Sequence, residues 1–165
     1  SVGTGSPRRA AQLLAVRPDL TIVDIRGNVD TRLGRVKGLG HYAKGGGKED
    51  LDAVVLAASG LARLGHSGTV TEFLDPSVVL PAPAQGALAV ECRTADSRHG
   101  KLAKALARID DRRTRLAATA ERAVLSHLEA GCAAPIGALA QLKPVSGSSP
   151  QVLTCLLYTS DAADE

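Results

Sequence analysis

At 165 residues, with 44% apolar residues and a mean hydropathy of +0.03, the chain has the make-up of a soluble protein that buries one good core or two small ones, and no apolar run approaches the roughly 18 residues of a membrane span. One Phe, two Tyr and no Trp leave almost no stacking platforms, which speaks against a reader of single-stranded nucleic acid. The formal charge of +3 is carried mostly by Arg, whose planar fork suits carboxylates and phosphates, so an anionic small molecule is the natural partner.

The chain begins on Ser1 rather than Met, inside what reads as a strand, and is expected to be a fragment. Val2-Gly3-Thr4-Gly5-Ser6 is a strand end running into a glycine turn. Pro7 then takes the first position of a helix over residues 8–16, with Ser6 as its N-cap and Ala10, Leu13 and Leu14 as its apolar face. A β-branched strand over 20–25 and a helix over 29–36 follow, so the opening alternates strand and helix as a parallel α/β sheet does. Residues 37–50, rich in Gly and Lys without periodicity, read as a flexible loop or hairpin with no chemistry. A buried strand is expected over 53–58, a helical turn over 59–65, two short uncertain segments to residue 80, and a buried strand over 87–92. The proline-rich run at 81–86 between them marks a candidate boundary. Helices over 98–109 and 113–129 have the 3.6 period and are separated by a capping break at Asp110 and Asp111; a strand over 136–142 ends the regular part.

The last eleven residues, 155–165, read as a translated transposon adapter of the kind used in sequencing libraries, an artefactual tail outside the fold that cuts off the partner of the preceding strand. Without Asp161, Asp164 and Glu165 there are 14 acidic residues against 20 basic ones, a formal charge of +6. No basic start precedes an apolar core, so no signal peptide is expected and the location is cytoplasmic, without membrane contact.

Two places carry chemistry. At Thr4-Gly5-Ser6-Pro7-Arg8-Arg9, hydroxyls, free amide groups and two guanidiniums meet at one helix N-terminus; adjacent arginines there oppose the helix dipole unless an anion is bound. Arg26 and Arg32 flank the turn after the second strand, which a parallel sheet can place beside the first. The other place is Cys132, just past the end of a helix, with Gly131 leaving it uncrowded and Pro135 preventing the helix from continuing. Cys92, Cys132 and Cys155 form no CxxC pair, so reduced thiols and no metal site are expected. His127 lies one turn before Cys132 without making a convincing Cys/His arrangement, and no catalytic group is assigned within the chain.

Taken together and in order, Val2-Gly3-Thr4-Gly5-Ser6-Pro7-Arg8-Arg9, Arg26-Gly27-Asn28-Val29-Asp30-Thr31-Arg32-Leu33, Leu56-Ala57-Ala58-Ser59-Gly60-Leu61, Pro83-Ala84-Gln85-Gly86-Ala87-Leu88, Ala120-Glu121-Arg122, Gly131-Cys132 and Pro135-Ile136-Gly137 resemble the porphobilinogen deaminase (hydroxymethylbilane synthase) family over nearly all of residues 1–143. The resemblance implies an enzyme of tetrapyrrole biosynthesis that condenses four porphobilinogen molecules into linear hydroxymethylbilane with release of ammonia. It further implies a dipyrromethane primer joined by a thioether to Cys132 beside Gly131. Ser6, Arg8, Arg9, Arg26 and Arg32 would hold the primer, and Thr4, Arg8, Arg26, Arg32 and Gln85 the substrate. The implied fold has periplasmic-binding-protein-like (type II) α/β domains followed by a small α+β domain. Residues 1–79 would belong to the second α/β domain, 80–109 would return to the first, and 110–154 would begin the third. The family's proton-transferring Asp belongs to an earlier segment, so the chain by itself is expected to be inactive, and the enzyme to be a monomer.

Gly5 stands for a usual Ser, Pro7 for a usual Leu and Ala84 where Gly is common, and the 37–50 loop is longer than usual. Two alternatives stand beside this reading: a non-catalytic anion-binding domain of the periplasmic-binding type, and a degenerate relative that has lost substrate contacts.

Overall fold

Three short parallel strands, β1 (Val2–Gly3), β2 (Ile22–Val23) and β3 (Ala53–Val54), lie in the order β2-β1-β3, with Val2 level with both Ile22 and Ala53. The structure is a computed structural model and describes residues 1–129, 134–144 and 151–159. The central strand is bonded on both edges: Val2 N donates to Thr21 O at 2.8 Å and Thr4 N to Val23 O at 3.0 Å on one side, and Val55 N to Gly3 O at 3.0 Å on the other. The strands expected over 20–25 and 53–58 shrink to two residues each because the ladder is only as long as its middle member, which turns away at Gly5.

Helix α1 (Pro7–Val16) starts where expected, with proline at its first position and Ser6 Oγ accepting from Arg9 N at 3.4 Å. Its inward face differs from the expected Ala10, Leu13 and Leu14 stripe: Leu14 is 38% exposed, whereas Arg8 and Gln12 are buried. That face meets the backbone of Leu80, whose polar groups need partners, so polar side chains are placed there. Helix α2 (Val29–Leu33), shorter than the expected 29–36, is capped by Asn28 Oδ1, which accepts from Thr31 N at 2.8 Å.

The segment expected as a flexible loop over 37–50 is instead folded back on α2. It contains a 3-10 turn (Gly40–Tyr42); Gly40 N donates to Glu49 Oε1 at 2.9 Å and Gly47 N to Gly40 O at 3.0 Å. A Cβ on Gly47 would lie 1.7 Å from Gly34 O, so the last glycine of the run serves a close backbone approach. Helix α3 (Ala58–Arg63) and a 3-10 turn (Ser67–Thr69) follow. The buried strand expected over 87–92 is absent: Leu88 is 80% and Val90 61% exposed. An apolar run becomes a strand only beside an edge, and no described strand pairs with this one.

Helices α4 (Thr94–Arg98), α5 (Gly100–Ile109) and α6 (Arg112–His127) come next, the last capped by Asp111 Oδ1, which accepts from Thr114 N at 2.7 Å, at the expected break. Strand β4 (Gly137–Pro144) pairs antiparallel with β5 (Gln151–Tyr158), from Gly137 opposite Tyr158 to Pro144 opposite Gln151. This corrects the expectation that the partner of β4 is cut off by the tail: residues 155–158 are part of β5. The physical reason is that their aliphatic run has strand propensity and lies beside an open edge. The core is built from Ile25, Leu33 and Leu51 around the parallel sheet and from Leu80, Ile136, Ala138 and Ala140 around the hairpin.

Candidate functional site

Because the sheet is parallel, β1, β2 and β3 end on one side, and each runs into the N-terminus of a helix: Thr4 to Ser6 into α1, residues 24–28 into α2 and residues 55–57 into α3. In open α/β sheets this is the edge at which ligands bind. Thr4 is buried and its Oγ1 accepts from Ser6 N at 3.3 Å, while Ser6 Oγ accepts from Arg9 N. Both hydroxyls thus stiffen the turn as acceptors. A Cβ on Gly5 would stand 2.5 Å from Ile25 O, so the turn after β1 runs directly against the one after β2.

The arginines divide into three kinds. Arg9 Nη1 donates to Val55 O at 3.1 Å, across the end of β3, and Arg32 Nε donates to Gly27 O at 2.8 Å. Burial lowers the pKa of Arg9 below the usual guanidinium value, and the charge of Arg32 adds to the shift. Burial likewise pushes Arg8 down to about 10, with the charge of Arg9 as the second cause. Among the described residues none of these three has a carboxylate partner. Arg8 and Arg9, held against burial and each other, with the charge of Arg32 acting on Arg9, form an arrangement that a bound anion relieves.

Arg26 is the free one, with its side chain 92% exposed and only Asp24 nearby, 3.6 Å from Nε. Arg8 is the committed one. Its Nη1 donates to Leu80 O and its Nη2 to Gln85 Oε1 at 3.3 Å, using two of its five N–H donors on the protein. Arg8 and Gln85, both expected at the site, are therefore brought together, but facing each other. Arg8 and Arg9 also line an apolar cavity of about 500 Å³ between α1, α2 and the segment after α3, with Leu13, Leu33, Leu61 and Phe73 among its walls.

Sequence reasoning passed over three groups. Gln12 is buried at 1% exposure against Leu80. Glu121 on α6 is buried and accepts from Ala84 N at 2.5 Å and Ala140 N at 2.7 Å, joining the 81–86 turn to β4. His66 Nε2 meets Asp30 Oδ1 at 2.9 Å, with the Tyr42 ring edge-on at 4.8 Å between ring centres, and ties the 37–50 segment to α2 and α3. Only the Ala-Glu-Arg motif around Glu121 gave a signal, and it pointed to kinship rather than burial. Gly131 and Cys132 lie outside the described residues. No group of three or more potential metal ligands occurs among the described residues.

The strand ends and their guanidinium cluster define an α/β protein with a basic site at the carboxyl edge of its parallel sheet. Residues 1–101 match the family model described as porphobilinogen deaminase, dipyromethane cofactor binding domain, and residues 115–165 the one described as porphobilinogen deaminase, C-terminal domain. The chain belongs to the porphobilinogen deaminase family, whose cofactor is dipyrromethane. It is 97% identical over 154 residues to a porphobilinogen deaminase of Cutibacterium acnes, covering 93% of this chain and 46% of that protein. It is 50% identical over 181 residues to one of Micrococcus luteus (98% of this chain, 48% of that protein). With one of Leifsonia xyli subsp. xyli the identity is 55% over 164 residues (99% and 46%). The chain thus spans about half the length of these curated relatives. Thr4, Ser6, Arg8, Arg9, Arg26, Arg32 and Gln85 fall within the first matched region and Cys132 within the second.

Proposed function

We propose that the chain supplies the anion-binding and tether-bearing parts of a hydroxymethylbilane synthase, a transferase that condenses four porphobilinogen molecules into linear hydroxymethylbilane with release of ammonia. The observation that carries this reading is the cluster of Arg8, Arg9 and Arg32: burial lowers the pKa of Arg8 and Arg9, the charge of Arg32 adds to the shift of Arg9, and none of the three has a carboxylate partner among the described residues. Pyrroles bearing acetate and propionate arms are polycarboxylates, and the donor set fits them: guanidinium forks, two hydroxyl protons and the N-terminus of a ten-residue helix. Bound dipyrromethane supplies the free pyrrole carbon that new units join.

In this reading Arg9 and Arg32 hold carboxylate arms over the strand ends, and Arg26 reaches them from solvent. Arg8 spends part of its fork on Leu80 and Gln85 and the remainder on the ligand. Ser6 and Thr4 donate their hydroxyl protons, with Gln85 at the substrate side. Cys132, with Gly131 beside it, carries the thioether. The sulfur anchors and the arginines orient, while the proton-transferring carboxylate belongs to an Asp outside this sequence. The parallel unit is read as part of a type II periplasmic-binding domain, residues 80–109 as its partner's return segment and residues 110–154 as the start of the third domain. The enzyme is read as a cytoplasmic monomer; no described helix is long and apolar enough to cross a membrane.

Intact-mass measurement of the full-length enzyme after reconstitution with porphobilinogen tests the reading. A dipyrromethane adduct is expected in the wild type and none in Cys132→Ser. An unmodified wild-type chain, or an adduct that survives the substitution, overturns it.

A further inference from the structure

Gln12 offers no group to the anion site itself, its contact there being with the Arg8 backbone alone, yet it is the most deeply buried polar side chain among the described residues. Both ends of its amide are in use on one residue: Oε1 accepts from Leu80 N at 2.7 Å and Nε2 donates to Leu80 O at 3.2 Å, as a neighbouring strand would. Nε2 also donates to Arg8 O at 3.2 Å, one turn back along α1. The same Leu80 carbonyl accepts from Arg8 Nη1, and Gln85, five residues on, accepts from Arg8 Nη2. The carbonyl that Gln12 fixes is therefore one of the two groups that fix the Arg8 guanidinium.

The chemistry is specific to glutamine. Asn is one methylene short, Glu would set a carboxylate against the Leu80 carbonyl, and an apolar side chain would leave the buried Leu80 amide without a partner. On the other side of the same segment, Pro81 O accepts from Ala138 N at 3.0 Å, so Leu80 and Pro81 are held between α1 and β4. A shift of Leu80 would move the Arg8 acceptor and the approach of the hairpin together.

We propose that Gln12 is a positioning residue for Arg8, acting through the Leu80 backbone to aim the guanidinium donors that remain free for a carboxylate ligand. This rests on the functional reading in which Arg8 holds a primer or substrate arm. The test is Gln12→Met in the full-length enzyme, a change that keeps length and helix preference and removes both hydrogen-bonding groups. Exchange of the Leu80 amide with deuterium should accelerate at least about tenfold. Loading of dipyrromethane, followed by intact mass, should slow at least about tenfold, and the KM for porphobilinogen should rise by a larger factor than kcat falls.

A Leu80 amide that stays protected overturns the proposal at its first step. Faster Leu80 exchange with wild-type loading and KM makes Gln12 a structural clasp alone, and also overturns it. Should Gln12→Met fail to fold, Gln12→Glu serves instead. Its carboxylate would draw Arg8 toward itself, and loading at the wild-type rate would again overturn the proposal. A wild-type enzyme that takes up no primer strikes the functional reading, whereas normal loading in both wild type and variant strikes only the role of Gln12.

Discussion

Ala84 holds a backbone conformation that its side chain opposes. Its φ is +60°, in the left-handed region, where a Cβ crowds the neighbouring carbonyl at a cost of roughly 1–2 kcal/mol. The residue stays there because Glu121 Oε2 takes its amide and because the turn must present Gln85 to Arg8 and to Ala82 N. Ala84→Gly should therefore raise the unfolding free energy by about 1 kcal/mol, less a fraction for the added freedom of the unfolded chain. Urea unfolding of the two proteins measures it, and a variant less stable than the parent would show that the turn is not strained. Sequence alone marked this position only as one where glycine is common; the φ explains why glycine suits it. The arginines were legible as an anion site because charge and helix position are written in the sequence. The split of roles among them was not, since it depends on Leu80 and Gln85, more than seventy residues away in the chain.

At the scale of elements, the sequence signals were strongest where local chemistry decides the outcome. Pro7 with Ser6, Asn28 and Asp111 each mark a helix start that the structure confirms by a side-chain oxygen on a backbone amide. Strand limits were misread where they depend on a partner, as at 87–92 and in the β4–β5 hairpin. The α6 cap carries a pH dependence of definite sign. The Thr114 amide hydrogen bond, its side chain and the nearby Arg113 charge hold the Asp111 carboxyl below its ordinary value of 3.8. A depressed folded-state pKa means the cap contributes fully above 3.8 and its contribution is lost as pH falls below that value through the lower folded one. Asp111→Asn keeps an accepting oxygen but does not titrate. The helical circular-dichroism signal of the parent should thus fall relative to the variant between about pH 4 and pH 2. Parallel curves for the two proteins over that range would show that the cap does not sense pH. Because other exposed carboxyls titrate there in both proteins, the difference between the curves is the quantity to read.

At the scale of the molecule, several large apolar side chains stand exposed among the described residues. Leu88 and Val90 stand out at 80% and 61% exposure on the irregular segment before α4, and Phe73 at 74% and Ile109 at 65% continue the pattern along the chain. Where large apolar side chains like these adjoin, a working protein covers them or associates through them. The proposed monomeric enzyme requires these side chains to be covered, and the weak alternation of the 87–92 run is what marks it in the sequence as a buried strand. The 165-residue chain at micromolar concentration should therefore bind the dye ANS strongly and scatter light as oligomers. Replacing Leu88 and Val90 by Lys, which removes two side chains that make no described ladder contact, should reduce both signals without lowering the urea midpoint by more than about 10%. A monodisperse parent chain with no ANS enhancement would mean that these side chains find cover within the chain itself. A double variant that loses its unfolding transition would mean that they already contribute to its core.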